Sequence, residues 1–182
     1  MSDTYIFESP LRMTFGTIGR PGQRTFLFQV EEPGTSVTVK LEKIQVNALS
    51  MYLGEMLKDL PRPGHLPDDM DLNEPMLPEW PVRAIATFYD EELDRVFIVM
   101  DERAPEEESL EEIFSDNPDY FQEGESAKSI RVIATREQVS ALAIRGKMLV
   151  EAGRPPCPLC GYPLDPKGHD CPRTNGYRPP LT

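Results

Sequence analysis

Two stretches of the chain repeat one another, Gln45-Val46-Asn47-Ala48-Leu49 and Gln138-Val139-Ser140-Ala141-Leu142. A repeat constrains the fold more than any single element does, because both copies must satisfy the same local geometry. Each copy follows an alternating apolar run, Val37-Thr38-Val39-Lys40-Leu41 in one case and Ile130-Arg131-Val132-Ile133-Ala134 in the other. Further upstream, Arg24-Thr25-Phe26-Leu27-Phe28 resembles Arg95-Val96-Phe97-Ile98-Val99, which sets Phe26 beside Phe97. Before each of these comes another extended run and a turn: Met13 to Ile18 then Gly19-Arg20-Pro21-Gly22, and Val82 to Tyr89 then Asp90-Glu91-Glu92-Leu93-Asp94. Period-two alternation predicts strands, and Gly, Pro and Asp supply the turns. Each half therefore reads strand, turn, strand, connection, strand, helix.

The helices have local support of their own. Val46, Leu49, Leu53, Met56, Leu57 and Leu60 recur at three- and four-residue steps and form one apolar stripe. In the second copy, Thr135-Arg136-Glu137-Gln138 has the form of a capping box, and Val139, Leu142, Ala143, Gly146, Leu149 and Val150 make the stripe before Gly153 stops it. Gly146 on the packed side implies a close approach between helix and sheet. The predicted fold class is α+β: two related strand-strand-strand-helix halves, about 11–60 and 81–152, form a mainly antiparallel sheet with two packed helices. This duplicated domain occupies 1–152, and a zinc knuckle with a basic tail occupies 153–182.

Charge is unevenly spread. The formal net charge is -12, with -1 over residues 1–60, -15 over 61–128 and +4 over 129–182. The acidity sits mainly in two segments that read as loops, 61–80 and 104–127. The first combines Pro61, Pro63, Pro67, Pro75 and Pro78 with Asp68, Asp69 and Asp71, which neither a helix nor a sheet ladder tolerates. The second runs through Glu106-Glu107-Glu108 and Glu111-Glu112, with a short amphipathic helix predicted at Ser109 to Phe114. Solvated, partly disordered excursions are the expectation for both, and an acidic docking surface for a basic partner, including the chain's own basic end, is the alternative. So acidic a chain repels bulk nucleic acid and anionic lipid. No membrane-length apolar run or secretory signal is visible, and a cytoplasmic location is expected.

All three cysteines lie within the last 26 residues, as Cys157-Pro158-Leu159-Cys160-Gly161 and His169-Asp170-Cys171-Pro172. Cys-x2-Cys sets two thiolates on one tight turn, and His-x-Cys can close a tetrahedron from the opposite side. The intervening Asp165-Pro166-Lys167-Gly168 is a turn sequence that returns the chain. Cys157, Cys160, His169 and Cys171 are the predicted metal ligands, with Asp170 or Asp165 as alternatives to His169, and structural Zn2+ is the predicted ion. Three sulfurs and an imidazole suit zinc and leave no open position for a reactant. A redox dithiol would need a helix N-terminus to lower one thiol's pKa, and Gly161-Tyr162-Pro163 cannot begin a regular helix. With few large apolar side chains beyond Gly153, the segment is too small to fold without such a staple.

Gly16-Thr17-Ile18-Gly19-Arg20-Pro21-Gly22 superficially resembles a phosphate-binding loop, but a strand follows it where such a loop needs a helix, so it is read as a hairpin turn. Arg20, Arg24, Arg154 and Arg173 are candidate anion contacts. No Ser-His-Asp set is visible, and the carboxylates lie in low-complexity loops, which argues against an enzyme.

The joint occurrence of Gly16-Thr17-Ile18-Gly19-Arg20-Pro21-Gly22-Gln23-Arg24-Thr25-Phe26, Leu41-Glu42-Lys43-x-Gln45, and Pro155-Pro156-Cys157-Pro158-Leu159-Cys160-Gly161 with Asp165-Pro166-x-Gly168-His169-x-Cys171-Pro172-Arg173-x-Asn175-Gly176 resembles a bacterial family catalogued as domain of unknown function 3090. The resemblance spans nearly the whole chain. It implies a cytoplasmic protein often encoded beside a lipid-kinase-like protein and a phosphomutase-like protein, within a phosphate-handling group. It assigns no catalytic residues.

The sequence thus leads to a non-catalytic, zinc-containing binding or adaptor protein, whose metal fixes a basic, Pro-rich end that recognises a protein partner; the kinase-like and phosphomutase-like neighbours are candidates. The rival is an enzyme or enzyme subunit acting on a phosphorylated small molecule through the four arginines. A third reading, nucleic-acid binding through the knuckle, has only Tyr162, Tyr177 and Arg178 behind it. Two such chains could also share a sheet edge as a homodimer.

Overall fold

The computed structural model describes residues 4–103, 128–161, 164, 171 and 173. Its elements are β1 (Thr4–Phe7), β2 (Arg12–Ile18), β3 (Thr25–Glu32), β4 (Thr35–Leu41), α1 (Lys43–Met56), β5 (Ala84–Asp90), β6 (Arg95–Asp101), β7 (Ser129–Ala134) and α2 (Arg136–Glu151). The fold is α+β with two helices, and the order strand-strand-strand-helix occurs twice, as β2-β3-β4-α1 and β5-β6-β7-α2. The strands divide between two sheets where the sequence suggested one: an antiparallel β2-β3-β4 sheet and a mixed β1-β7-β6-β5 sheet. The predicted helix over Ser109 to Phe114 and the second acidic segment lie outside the described residues.

The two sheets are completed reciprocally. Strand β1, which leads into β2, runs parallel to β7 at the edge of the other half's sheet, from Thr4 beside Ser129 to Phe7 beside Val132. The segment Glu79–Val82, which leads into β5, runs parallel along β4: Glu79 N–H donates to Thr38 O (2.8 Å), Lys40 N–H to Trp80 O (3.0 Å) and Val82 N–H to Lys40 O (2.8 Å). Pro81 fits there because a parallel edge segment turns only alternate residues towards its neighbour, so its missing N–H costs no ladder bond. The two incoming segments also meet each other. Tyr5 and Trp80 stack with ring centroids 5.8 Å apart, and the Tyr5 hydroxyl donates to Glu79 Oε2 (3.1 Å).

Capping ties each helix to the same junctions. Glu42 N–H donates to Gln45 Oε1 (2.8 Å) and Thr135 N–H to Gln138 Oε1 (3.0 Å), as a capping box requires. The other end of each amide crosses to the opposite half: Gln45 Nε2 donates to Val82 O (3.1 Å) and Gln138 Nε2 to Pro10 O (2.6 Å). The paired glutamines of the repeat therefore bond to equivalent points, each two residues before a first strand.

The ladders shift one part of the sequence comparison. Leu41 and Ala134 each precede a helix N-cap, and they face Phe26 and Val96 across their ladders. Phe26 is thus equivalent to Val96, one residue from the Phe97 suggested by sequence. With that register, Phe26, Phe28 and Val30 correspond to Val96, Ile98 and Met100, and all six are buried in one core. A one-residue slip exchanges the faces of a strand. The hairpin loops differ in length, Gly19–Arg24 against Glu91–Asp94, so a local match of Arg-x-Phe misaligns the strand after it.

The helices pack on each other over that core, to which α1 contributes Val46, Leu49 and Leu53 and α2 contributes Val139, Leu142 and Ala143. Gly146 marks the close approach, to helix α1 and strand β2 together: a Cβ there would collide with Ser50 Oγ and stand 2.9 Å from Phe15 Cδ2. The outer face of β2-β3-β4 is covered too. The Pro- and Asp-rich segment expected to be solvated lies across it, and Leu72 fills the space over Gly16. Gln29 Nε2 donates to Asn73 O (2.8 Å) and to Thr38 Oγ1 (3.0 Å), Asn73 N–H donates to Gln29 Oε1 (2.8 Å), and Thr14 Oγ1 donates to Met70 O (2.6 Å). These bonds account for buried Thr14, Gln29 and Thr38 on a sheet face. Asp71 accepts from Arg145 Nη2 (3.0 Å), so part of the acidity is neutralised by the body itself.

Two outcomes are expected. Gly146→Ala, which ordinarily stabilises a helix by about 1 kcal/mol, should instead destabilise this protein by about 1–3 kcal/mol through overpacking, and adding Ser50→Gly should recover part of the loss in urea denaturation. Burial pushes the Asp101 carboxyl up to about 6, against the pull of Arg131. Its folded pKa exceeds the unfolded one, so its contribution is fully present when both states are protonated, below about 4, and is lost as pH rises through about 6. Asp101→Asn should flatten the fall in urea midpoint across that window and raise the midpoint at neutral pH. An unchanged slope would refute this account.

Candidate metal centre

Chain leaving α2 turns through Gly153 and Arg154 into the Cys-x2-Cys segment. There Gly161 N–H donates to Cys157 O (2.8 Å), closing the turn, and Gly161 takes φ +76°, a conformation glycine adopts without strain. Leu164 N–H donates to Pro155 O (2.8 Å) and returns the chain alongside its own start. The sulfurs of Cys157, Cys160 and Cys171 come within 4.8 Å of one another, with Cys157 and Cys171 buried and Cys160 half-buried. None is in a disulfide. Zinc-bound thiolates at ~2.3 Å from the ion would stand about 3.8 Å apart in a tetrahedron, so three thiols this close could hold a metal ion. Hydrogen bonding lowers the Cys157 pKa: the backbone N–H of Cys160 is the largest cause, and that of Leu159 adds to it. Amides aimed at a sulfur favour the thiolate, which is the form that ligates metals. His169, Asp165 and Asp170, the candidates for a fourth ligand, lie outside the described residues.

The Arg154 side chain lies over the tip of the β2–β3 hairpin, where a Cβ on Gly22 would stand 3.5 Å from its Cδ and Nε. Arg20 belongs to that same exposed turn, and Arg24 is half-buried at its end. Arg173 is exposed. The Gly-rich run is a hairpin turn, with Ile18 facing Thr25 across antiparallel strands, and no helix begins there to receive a phosphate.

Sequence reasoning missed two features. The first is an ion-pair clamp: Arg136 Nε stands 2.7 Å from Asp94 Oδ1, Arg136 Nη1 donates to Pro61 O (2.6 Å), and the Tyr89 hydroxyl donates to Asp94 Oδ1 (2.7 Å). The hydrogen bond from Tyr89, then that from Arg136, holds the Asp94 carboxyl below its ordinary range. The clamp joins the β5–β6 turn, the start of α2 and the chain leaving α1; its only local signal was an aspartate in a turn, at φ +51°. The second is a cleft of ≈ 610 Å³ between α1 and that turn, whose lining includes Tyr52, Met56, Phe88 and Glu91. Its walls come from segments remote in sequence, which no local pattern brings together.

Among the described residues, no helix is long and apolar enough to cross a membrane. No curated protein and no solved structure matches the chain. A family profile described as a protein of unknown function, DUF3090, matches residues 5–171, the span that holds both halves of the repeat and all three cysteines. By that match the chain belongs to the DUF3090 family.

Proposed function

We propose that this protein is a non-catalytic adaptor in which a structural zinc ion, held by Cys157, Cys160, Cys171 and His169, fixes a basic, Pro-rich end for recognition of a protein partner. The observation that carries the reading is the convergence of three unbridged thiols on a segment with little apolar material of its own. A closed Cys3His shell supplies folding energy and no vacant position for a reactant. Arg154, seated over the Gly22 turn, supports a knuckle that leans on the body of the protein, so metal binding would order a basic surface beside the β2–β3 hairpin. The proteins implied by the family's gene neighbourhood, kinase-like and phosphomutase-like, are the first partners to try. With +4 over residues 129–182, that end would favour a partner surface of negative charge.

A second reading, a site for a phosphorylated small molecule, is favoured by one observation: Arg154 lies over Gly22 in the turn that also carries exposed Arg20. Guanidinium groups placed together bind phosphate in bidentate fashion. Phosphate-dependent protection of Arg154 from arginine-modifying reagents would support it over the adaptor.

Protein purified without added metal should carry one zinc per chain by elemental analysis, with all three thiols unreactive until a chelator is added. Cys157→Ala with Cys160→Ala should abolish the metal while leaving the cooperative unfolding of the body in place. Metal-free protein with freely reactive thiols would overturn the zinc assignment. Affinity capture should recover a specific partner with the native chain and lose it with the double variant; capture unaffected by the double variant would overturn the adaptor reading.

A further inference from the structure

The cleft between the C-terminal end of α1 and the β5–β6 turn is lined by none of the three cysteines and is unused by the adaptor reading. Tyr52, Glu55 and Met56 form one wall, and β5 with its turn, from Phe88 to Glu92, forms the other. Its body is apolar and aromatic. Phe88 is fixed by stacking on Phe97, with ring centroids 4.6 Å apart and planes 5° from parallel, and Tyr52 is 45% exposed on the helix surface. A cleft of ≈ 610 Å³ is within the usual size range of a ligand site.

The charge around this apolar surface selects the occupant. Glu55, Asp90, Glu91 and Glu92 rim it, and the described lining holds no basic side chain. Lys58 reaches Glu55 at 2.9 Å, and Asp90 Oδ1 accepts from Leu93 N–H (2.9 Å). Glu91 and Glu92 are exposed on the turn between them. Flat aromatic walls beneath a carboxylate rim match a guanidinium group, which stacks on a ring face and accepts bidentate pairing at its edge.

We infer that the cleft between α1 and the β5–β6 turn docks an arginine-bearing basic segment of a partner protein. The segment places a guanidinium between Tyr52 and Phe88, and its further positive charges lie against Glu91 and Glu92. No described residue of the cysteine segment lines this cleft, so an adaptor with both would engage two chains, or one chain at two points.

The test is fluorescence anisotropy on the full chain with a labelled peptide of two adjacent arginines flanked by glycine and serine. Glu91→Lys with Glu92→Lys should weaken binding by about 10-fold or more, and Tyr52→Ala by several-fold, because both the ion pairs and the stacking wall contribute. The same double reversal at Glu8 and Asp68, exposed acidic positions away from the cleft, should change affinity less than about twofold after screening by 0.15 M salt. A peptide with citrulline in place of arginine should not bind. Equal loss from the two double reversals, no effect of Tyr52→Ala, or undiminished binding of the citrulline peptide would each overturn the proposal. Spermidine competing as well as the peptide would make this a small-amine site. Tighter peptide binding on Arg173→Ala with Arg178→Ala would make the chain's own end the occupant, and a dimer dissociated by Glu91→Lys with Glu92→Lys would make it a second copy; each result overturns the partner assignment.

Discussion

A strand at the edge of a sheet exposes N–H and C=O groups that must bond to something, and the fold of this protein turns on how β4 and β7 meet that requirement. Each accepts a parallel neighbour from the opposite half: Glu79–Val82 beside β4, and β1 beside β7. Neither three-stranded unit has that edge covered by its own half. The capping glutamines Gln45 and Gln138 reinforce this, since each amide closes its own helix start and bonds to the incoming segment of the other half. Loss of either incoming segment would leave an open edge and an unsatisfied amide together. The halves are thereby bound into one unit, with Tyr5 stacked on Trp80 where the exchanged segments meet.

The same accounting of polar groups explains the Pro-rich segment. Proline and aspartate keep it out of regular structure, yet Gln29 binds both backbone groups of Asn73, as a neighbouring strand would. A buried amide that meets all its partners fixes a loop in one place; an incomplete network would be costly in a medium of low dielectric. That arrangement gives the β2-β3-β4 sheet two covered faces. It also leaves the β5–β6 turn, held by the Asp94–Arg136 pair, beside the end of α1 as one wall of the acidic, aromatic cleft.

At the C-terminal end the limiting quantity is apolar area. The cysteine-bearing segment carries few large apolar side chains, and its three clustered thiols could hold a metal ion. The chain brings the three sulfurs together and turns N–H groups towards Cys157, which lowers the cost of the thiolate. Just before this segment, the Arg154 side chain lies over the hairpin tip at Gly22.

Much of the local structure was legible in the sequence, since period and turn chemistry are local properties. The stripes Val46-Leu49-Leu53 and Val139-Leu142 identify the helix faces that are buried. The Pro-Gly and Asp-rich turns mark the two hairpins, and the cysteine spacing identifies the sulfur cluster. Tertiary structure alone decided what pairs across distance. It set β1 parallel to β7, split the strands between two sheets, and moved the equivalence of Phe26 from Phe97 to Val96. It also laid Asn73 on Gln29 and joined Tyr52 to Phe88 across a cleft. The physical reason is that an edge strand or a buried amide can be satisfied by any complementary backbone that reaches it. Only the packing of both halves around one core determines which backbone does.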